Sequence, residues 1–546
     1  MKFEELKIKS AISEIKQAEE KKEIKDAVEE FETEAIAKTI ESEISDSVED
    51  KDELEKITEA DELVKEMELN PEIKERKEAK ERLKKNIAEI YEIIEPYVDT
   101  YDLIRPSGRI ENGRRLSLKE EHEIFKKEIK NNIDYNPIYT YEKIENIKKE
   151  DIEKTIKDLD AKKENIIVDS NENVKSIVLE YLESMAARVK FILAVKEGDD
   201  EIAYKYSVDA YDDIYDELIK ANTDYYQNKL KDNSAYNNPL REKLKKIKIT
   251  SEDLKDIFEI VKDVFSIKGF KIELRKNEEG VSVSDSEEKI KIPENKDYSA
   301  DRAMSLASHE VATHVVSMEN SKMAGFPGIY AGKNATTFQE GIAMYTEQQT
   351  EEHIFGDNWP NDKDWYIHAM DYRKKGNGFG KVYIEMKERI KNQLIAQKHD
   401  KNIIEDESEN KALMVCRRIF RGMHDLSSES KFYYTKDANY FMGYIESQKM
   451  AKEGLDHYLT KLRIDPNLLP YFISLKAIPE KAMIANRKVI EAMWDKKGFT
   501  RDYLENYDWY RENIQMDRHM SYRRKFGQID EEVKDVRKKM KEDNVL

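Results

Sequence analysis

The chain of 546 residues carries 115 acidic against 95 basic side chains, a formal charge of −20. That length can bury a large core and build more than one domain, while the acid excess excludes a phosphate-tracking nucleic-acid protein, which needs net basic patches; runs such as Arg417-Arg418 and Arg523-Arg524-Lys525 are short. Cys416 is the one cysteine, so no internal disulfide forms; the opening MKFEELKIKSAISEIKQAEEKK lacks a signal-type apolar region, and no stretch is apolar enough to span a bilayer, so a cytoplasmic protein is expected.

Before Gly108 there is no glycine, and up to residue 105 only Pro71 and Pro96 interrupt the chain, which favours long helices. Ile24, Val28, Phe31 and Ala35 share one helix face. Apolar content over 1–70 is otherwise thin, so residues 1–105 read as a charged helical N-terminal arm, either solvated or docking a protein partner. Within it, 77–100 is the better helix, with Leu83, Ile87, Ile90, Ile93 and Ile94 on one stripe. RPSGRIENGRR (105–115) reads as a loop and a boundary.

Further on, Thr250 and Asp253 form a capping box for a helix whose apolar face is Leu254, Ile257, Phe258, Val261, Val264 and Phe265, ending by Gly269. Three short strands follow over about 270–292: Phe270, Ile272 and Leu274 alternate, as do Val281 and Val283, then Ile290 and Ile292. Turns are expected at Asn277–Gly280 and Asp285–Glu288. Ser299 is placed to cap a helix over about 300–317, with Ala303, Met304, Leu306, Ala307 and Val311 on its apolar side. Another helix is expected over about 338–350. The class is α+β, predominantly helical, with a small sheet feeding the helix that carries SHEVATHVVS (308–317).

In that stretch His309 and His314 stand five apart. At about 100° per residue, such positions diverge by about 140° on a regular helix. A π-type turn, with i→i+5 bonding, brings them nearly into line. A π-bulge or broken turn is therefore expected between Glu310 and His314, where Ala312 and Thr313 are small. Two imidazoles and a third ligand are what a zinc hydrolase needs. Glu310, next to His309, stands where a general base belongs, and TTFQEGIAMYTE (336–347) offers Glu340 as third ligand, with Glu347 two turns further on the same face. The competing reading is two unrelated histidines, with Glu340 a carboxylate favoured by a helix N-terminus.

HEVATH (309–314) with QEGIA (339–343) resembles the HExxxH and QEGLA signatures of the DUF1704, or QEGLA-motif, family, whose members include a microtubule-associated tyrosine carboxypeptidase acting on the C-terminal tyrosine of α-tubulin. NPIYTY (136–141), RIFRG (418–422) and YTKDANY (434–440) resemble further motifs of that family, in order. Ala312, Ile342 and Tyr434 stand where the family commonly has Gly, Leu and Phe; Tyr434 in particular is expected to bear on the substrate pocket. The resemblance implies a zincin-like metallopeptidase domain over 120–546 that holds one Zn²⁺ through His309, His314 and Glu340, with Glu310 as the catalytic glutamate that activates the metal's water. It also implies a carboxypeptidase that trims the C-terminus of a peptide or protein. The tyrosine preference does not follow from these motifs. Such an enzyme needs a cation for the terminal carboxylate, and Arg418, Arg421 and Lys436 lie in the family-like motifs. Tyr345 and Tyr440 are candidates for contact with the substrate oxyanion.

Two other readings stay open. One is a helical binding or scaffold protein with a vestigial metal site; the other is a zinc amidohydrolase acting on a non-peptide amide. His353, His368, His399, His424, His457 and His519 have no ligand spacing, and Cys416 reads as a core residue.

Overall fold

The computed structural model describes residues 71–231, 245–265, 267–276, 280–285, 287–326, 332–355, 362–452 and 460–478. Outside the described residues lie the arm over 1–70 with Ile24, Val28, Phe31 and Ala35, most of the turn expected at Asn277–Gly280, the segment 479–546 with Arg523, Arg524 and Lys525, and His457 and His519.

An apolar side chain every three or four positions makes α1 (Pro71–Ile94): Ala79, Leu83, Ile87, Ile90 and Ile94 are at most 3% exposed. These residues join the largest core of the molecule, so the described part of the expected arm is built into the fold. The loop expected over 105–115 contains a tight hairpin, Ile110–Glu111 against Arg114–Arg115. Asn112 and Gly113, with φ of 50° and 76°, supply the left-handed pair that such a turn needs.

After α2 (Leu118–Glu128), capped by a Ser117–Glu120 box, come α3 (Lys149–Ile167) and α4 (Glu172–Glu197). Buried residues face every side of α4, as expected of a helix at the centre of a core. Then follow α5 (Asp200–Tyr211) and α6 (Asp216–Lys231).

The chain next builds a second, smaller core. α7 (Ser251–Val264) has the expected capping box: Thr250 Oγ1 accepts from Asp253 N, and Asp253 accepts from Thr250 N. The helix ends at Val264 with Phe265 as its cap, ahead of Gly269. The strands β1 (Lys271–Arg275), β2 (Ser282–Ser284) and β3 (Lys289–Pro293) form one sheet in the order β1-β3-β2, with β1 parallel and β2 antiparallel to β3. Ile272, Ile290 and Ile292 turn inward against α7. The two-residue strand Tyr298–Ser299 pairs with Lys248–Ile249. Ser299 occupies the cap position of the next helix but makes no capping bond.

That helix, α8, runs without a break through an α segment Ala300–Leu306, a π segment Ala307–Val315 and an α segment Val316–Met323. Ala303, Met304, Ala307, Val311 and Val315 press into the small core. α9 (Ala335–Phe355) packs on α8. α10 (Trp365–Lys374), α11 (Phe379–Ala396), α12 (Lys401–Ile419), α13 (Ala438–Lys452) and α14 (Leu469–Ser474) complete the large core around α4. The α8–α9 seam thus lies between the two cores. Among the described residues no helix is long and apolar enough to cross a membrane.

Candidate metal centre

The π segment of α8 spans nine residues, wider than the single turn expected between Glu310 and His314. Thr313 helps to hold it: its hydroxyl donates to the carbonyl of Ser308, five residues back, at 2.9 Å. Ser317 and Ser321 repeat the device one and two turns on, donating to the carbonyls of Thr313 and Ser317. With the turn widened, the rings of His309 and His314 come to one side of the helix, centroids 4.9 Å apart and nearly perpendicular.

α9 reaches the same place by a different route. Gly341 lies against Gly443 of α13 so closely that a Cβ on Gly341 would sit 2.0 Å from the Gly443 carbonyl carbon, and one on Gly443 would sit 1.9 Å from the Thr337 oxygen. Only glycine permits this backbone-to-backbone crossing. Thr336, near the start of α9, accepts from Arg188 of α4 at 3.2 Å. On the other side, two buried contacts of 2.6 Å tie α9 to α8: Ser305 donates to Glu351, and Ser308 meets Thr350.

Glu340, the neighbour of Gly341, thereby points at the histidines. Its Oε2 stands 3.8 Å from Nε2 of His309 and 3.8 Å from Nε2 of His314. Ligands about 2.1 Å from a tetrahedral zinc lie about 3.4 Å from one another, so each of these two separations is only slightly longer than a shared ion requires. Glu310 also comes close: a carboxylate oxygen, His309 and His314 each offer a ligand atom within 4.8 Å of the others. Both carboxylates thus stand close to the two imidazoles, Glu340 with one oxygen equally distant from both Nε2 atoms. Glu347 supports His309 from behind, its Oε1 3.0 Å from Nδ1. That contact has hydrogen-bond length, and the bond it makes is one of the causes that raise His309 and lower Glu347.

The electrostatics suit a cation. Burial pushes Glu310 up to about 7, opposed by His309 and reinforced by Glu340. Burial pushes His314 down to about 4, helped by His309 and opposed by Glu340. For His309, burial acts downward, but Glu347, Glu310 and Glu340 together outweigh it and the pKa rises. Glu340 is lowered despite burial, by His314, Lys436, His309 and Lys363. Taken by themselves, neutral imidazoles and these carboxylates carry net negative charge, which Lys436, Lys363 and Arg302 offset from further out. His309 is 9% exposed, whereas Glu310, His314 and Glu340 are half-buried, so the cluster borders solvent on one side.

The residues expected to meet substrate divide. Lys436 bears on the charge of Glu340. Tyr440 also feels Glu340; burial is the largest cause of its raised pKa. Arg418 lies near Tyr440, its guanidinium 5.7 Å from that ring; Nη1 donates to Tyr366 at 2.7 Å and stands 3.3 Å from Asp437. Arg421 goes elsewhere: it is 3% exposed and its charge is felt by Tyr141 and Tyr434. α12 stops at Ile419 and the chain reverses at Gly422, φ 76°, which turns Arg421 inward. Tyr345 packs against Phe338 and Ile342. Tyr434 is fully buried, stacked on Phe191 with centroids 5.1 Å apart, so it belongs to the large core and not to a pocket. His424 is structural, its Nε2 2.8 Å from the Val195 carbonyl, and Cys416 is fully buried.

Two cations were missed from the sequence. Arg302 stands 3.6 Å from Glu347 and lies seven residues, two turns, before His309, a spacing that was available as a signal. Lys363 stands 4.4 Å from the centre of the Tyr440 ring; burial lowers its pKa to about 8, with Arg418 and Arg302 adding to the effect and Glu340 and Glu347 opposing it. No motif surrounds it.

Among known proteins, the family model described as microtubule-associated tyrosine carboxypeptidase matches residues 124–469, which spans the cluster and both helices that build it. Nothing matches among curated proteins or among solved structures.

Proposed function

Because the chain belongs to the microtubule-associated tyrosine carboxypeptidase family, we propose that it is a zinc-dependent metallopeptidase that removes residues from the C-terminus of a peptide or protein. Family membership supports a carboxypeptidase. The observation that carries the metal-dependent part is the position of Glu340, one oxygen of which is equally distant, at 3.8 Å, from the two Nε2 atoms of His309 and His314.

His309, His314 and Glu340 would hold the ion, and Glu347 would orient His309 through Nδ1, as carboxylates behind metal-bound histidines do. A zinc ion bound there supplies a Lewis acid for the scissile carbonyl and makes water acidic enough to attack at neutral pH. Glu310 takes the proton from the attacking water and returns one to the departing amine. Tyr440, one turn before Gly443 at the α9 crossing, would supply a phenolic donor for the developing oxyanion. The short helix-to-helix contacts on either side keep these groups fixed while the substrate changes charge.

The test combines metal analysis with mass spectrometry of digested peptides. Protein purified without chelator is expected to hold about one zinc per chain and to shorten peptides from the C-terminus. Glu310→Gln is expected to keep the zinc and lose activity by roughly 10²- to 10⁴-fold, the range for general acid–base groups. A zinc-free protein that cleaves as well as a loaded one overturns the reading. Activity confined to non-peptide amides moves it to the amidohydrolase class.

A further inference from the structure

We propose that Lys363 is the anchor for the carboxylate at the C-terminus of the substrate, and so makes the site an exopeptidase. This rests on the peptidase reading above and assigns its specificity to a residue outside every recognised motif. Lys363 sits on the single 3-10 turn Asp362–Asp364 that enters α10. The side chain is half-buried, stands over the Tyr440 ring, and lies close enough to Glu340 and Glu347 that each feels its charge. Tyr440 in turn lies one turn before Gly443, whose backbone touches that of Gly341, the neighbour of Glu340, so direct packing leads from Lys363 to the ligand cluster.

The next residues hold the turn rigidly. Asp364 is fully buried and receives Lys229 at 2.9 Å; Arg389 stands 3.6 Å from its other oxygen, too far for a hydrogen bond but near enough to balance charge. Asn222 donates to the Asp364 carbonyl at 2.7 Å, and Trp365 donates to Gln393 at 2.8 Å. Two cations and an amide thus converge on the residue next to Lys363, fixing where its stem leaves the backbone. Neighbouring Arg418 is held by Tyr366 and Asp437, and Arg302 stands 3.6 Å from Glu347, so with Lys363 and Lys436 three cations surround the carboxylates of α9. A lysine gives a point charge that accepts a carboxylate from several directions, and in a half-buried site that attraction is screened less than at an open surface.

The experiment measures binding, so that it does not depend on turnover. The zinc-loaded full chain carrying Glu310→Gln is titrated with short N-acetylated peptides of mixed last residue, each as free acid and as C-terminal amide. The free acid is expected to bind roughly 10- to 100-fold more tightly, the span for a hydrogen bond to a charged group. Adding Lys363→Met should abolish the difference by weakening the acid alone, Lys363→Arg should restore most of it, and Lys436→Met should leave it in place. An acid-to-amide ratio unchanged by Lys363→Met, or one abolished by Lys436→Met instead, overturns the assignment. The peptidase reading fails separately, when zinc-loaded wild type cleaves neither peptide form, and the binding ratio is still readable in that case.

Discussion

On α8 two histidines are aligned by widening nine residues of backbone into a π segment, whereas on α9 a regular helix sets Glu340 in place by letting Gly341 touch Gly443. The first solution is local: hydroxyls such as Thr313 occupy carbonyls of their own helix. The second is distant: Glu340 stands where it does because of a glycine about a hundred residues later. The two helices also belong to different surroundings, α8 lining the small α/β core and α9 facing the large helical one. A ligand set assembled across such a seam depends on both kinds of control, and they should fail differently.

The largest effect is expected on the distant side. Gly443→Ala places a Cβ 1.9 Å from the Thr337 oxygen. Overpacking of that severity should cost at least the about 1–3 kcal/mol usual for inserted carbons, and zinc affinity should fall with it as α9 is pushed away. Chemical denaturation and metal titration of the same sample check this; unchanged values for both would show that the crossing does not position Glu340. A smaller effect, confined to the metal, is expected for Glu347→Gln: a loss of roughly 10- to 100-fold in zinc affinity with the unfolding midpoint of the metal-free protein unmoved. Smallest is Thr313→Val, which keeps the shape but leaves the Ser308 carbonyl without its hydroxyl. Stability should drop by about 0.5–1.5 kcal/mol, the net worth of one hydrogen bond, while zinc affinity changes less than in Gly443→Ala. If it changes more, local control of the histidines dominates and the contrast between the helices is reversed.

The same contrast explains what could be read from the chain before any coordinates. The five-residue spacing of His309 and His314 demands a widened turn, because helix geometry is a property of the local backbone; its extension to Ala307–Val315 was not legible, since that depends on packing and on the hydroxyl of Thr313. The Thr250–Asp253 box and the alternation of Ile290 and Ile292 are equally local, and both appear as expected. Arg421 shows the limit. Proximity to Arg418 in a motif says nothing about depth, and the helix end at Ile419 turns the two side chains into different surroundings. Lys363 was illegible for a similar reason, because what places it is a buried Asp364 held from α6 and α11. Tyr434 was misread because a tyrosine near a family motif suggests a pocket, whereas Phe191 and Tyr211 enclose it.

The pair of short hydroxyl contacts across the seam, Ser305 with Glu351 and Ser308 with Thr350, has a thermodynamic consequence. Apolar side chains let one helix slide past another at little cost, but a one-residue slip here would strand buried oxygens without partners, at about 1–3 kcal/mol each. α8 and α9 are therefore keyed to a single alignment by their own side chains. An arriving cation would find its ligands already in step, and its binding energy would go into affinity instead of into folding the site around it.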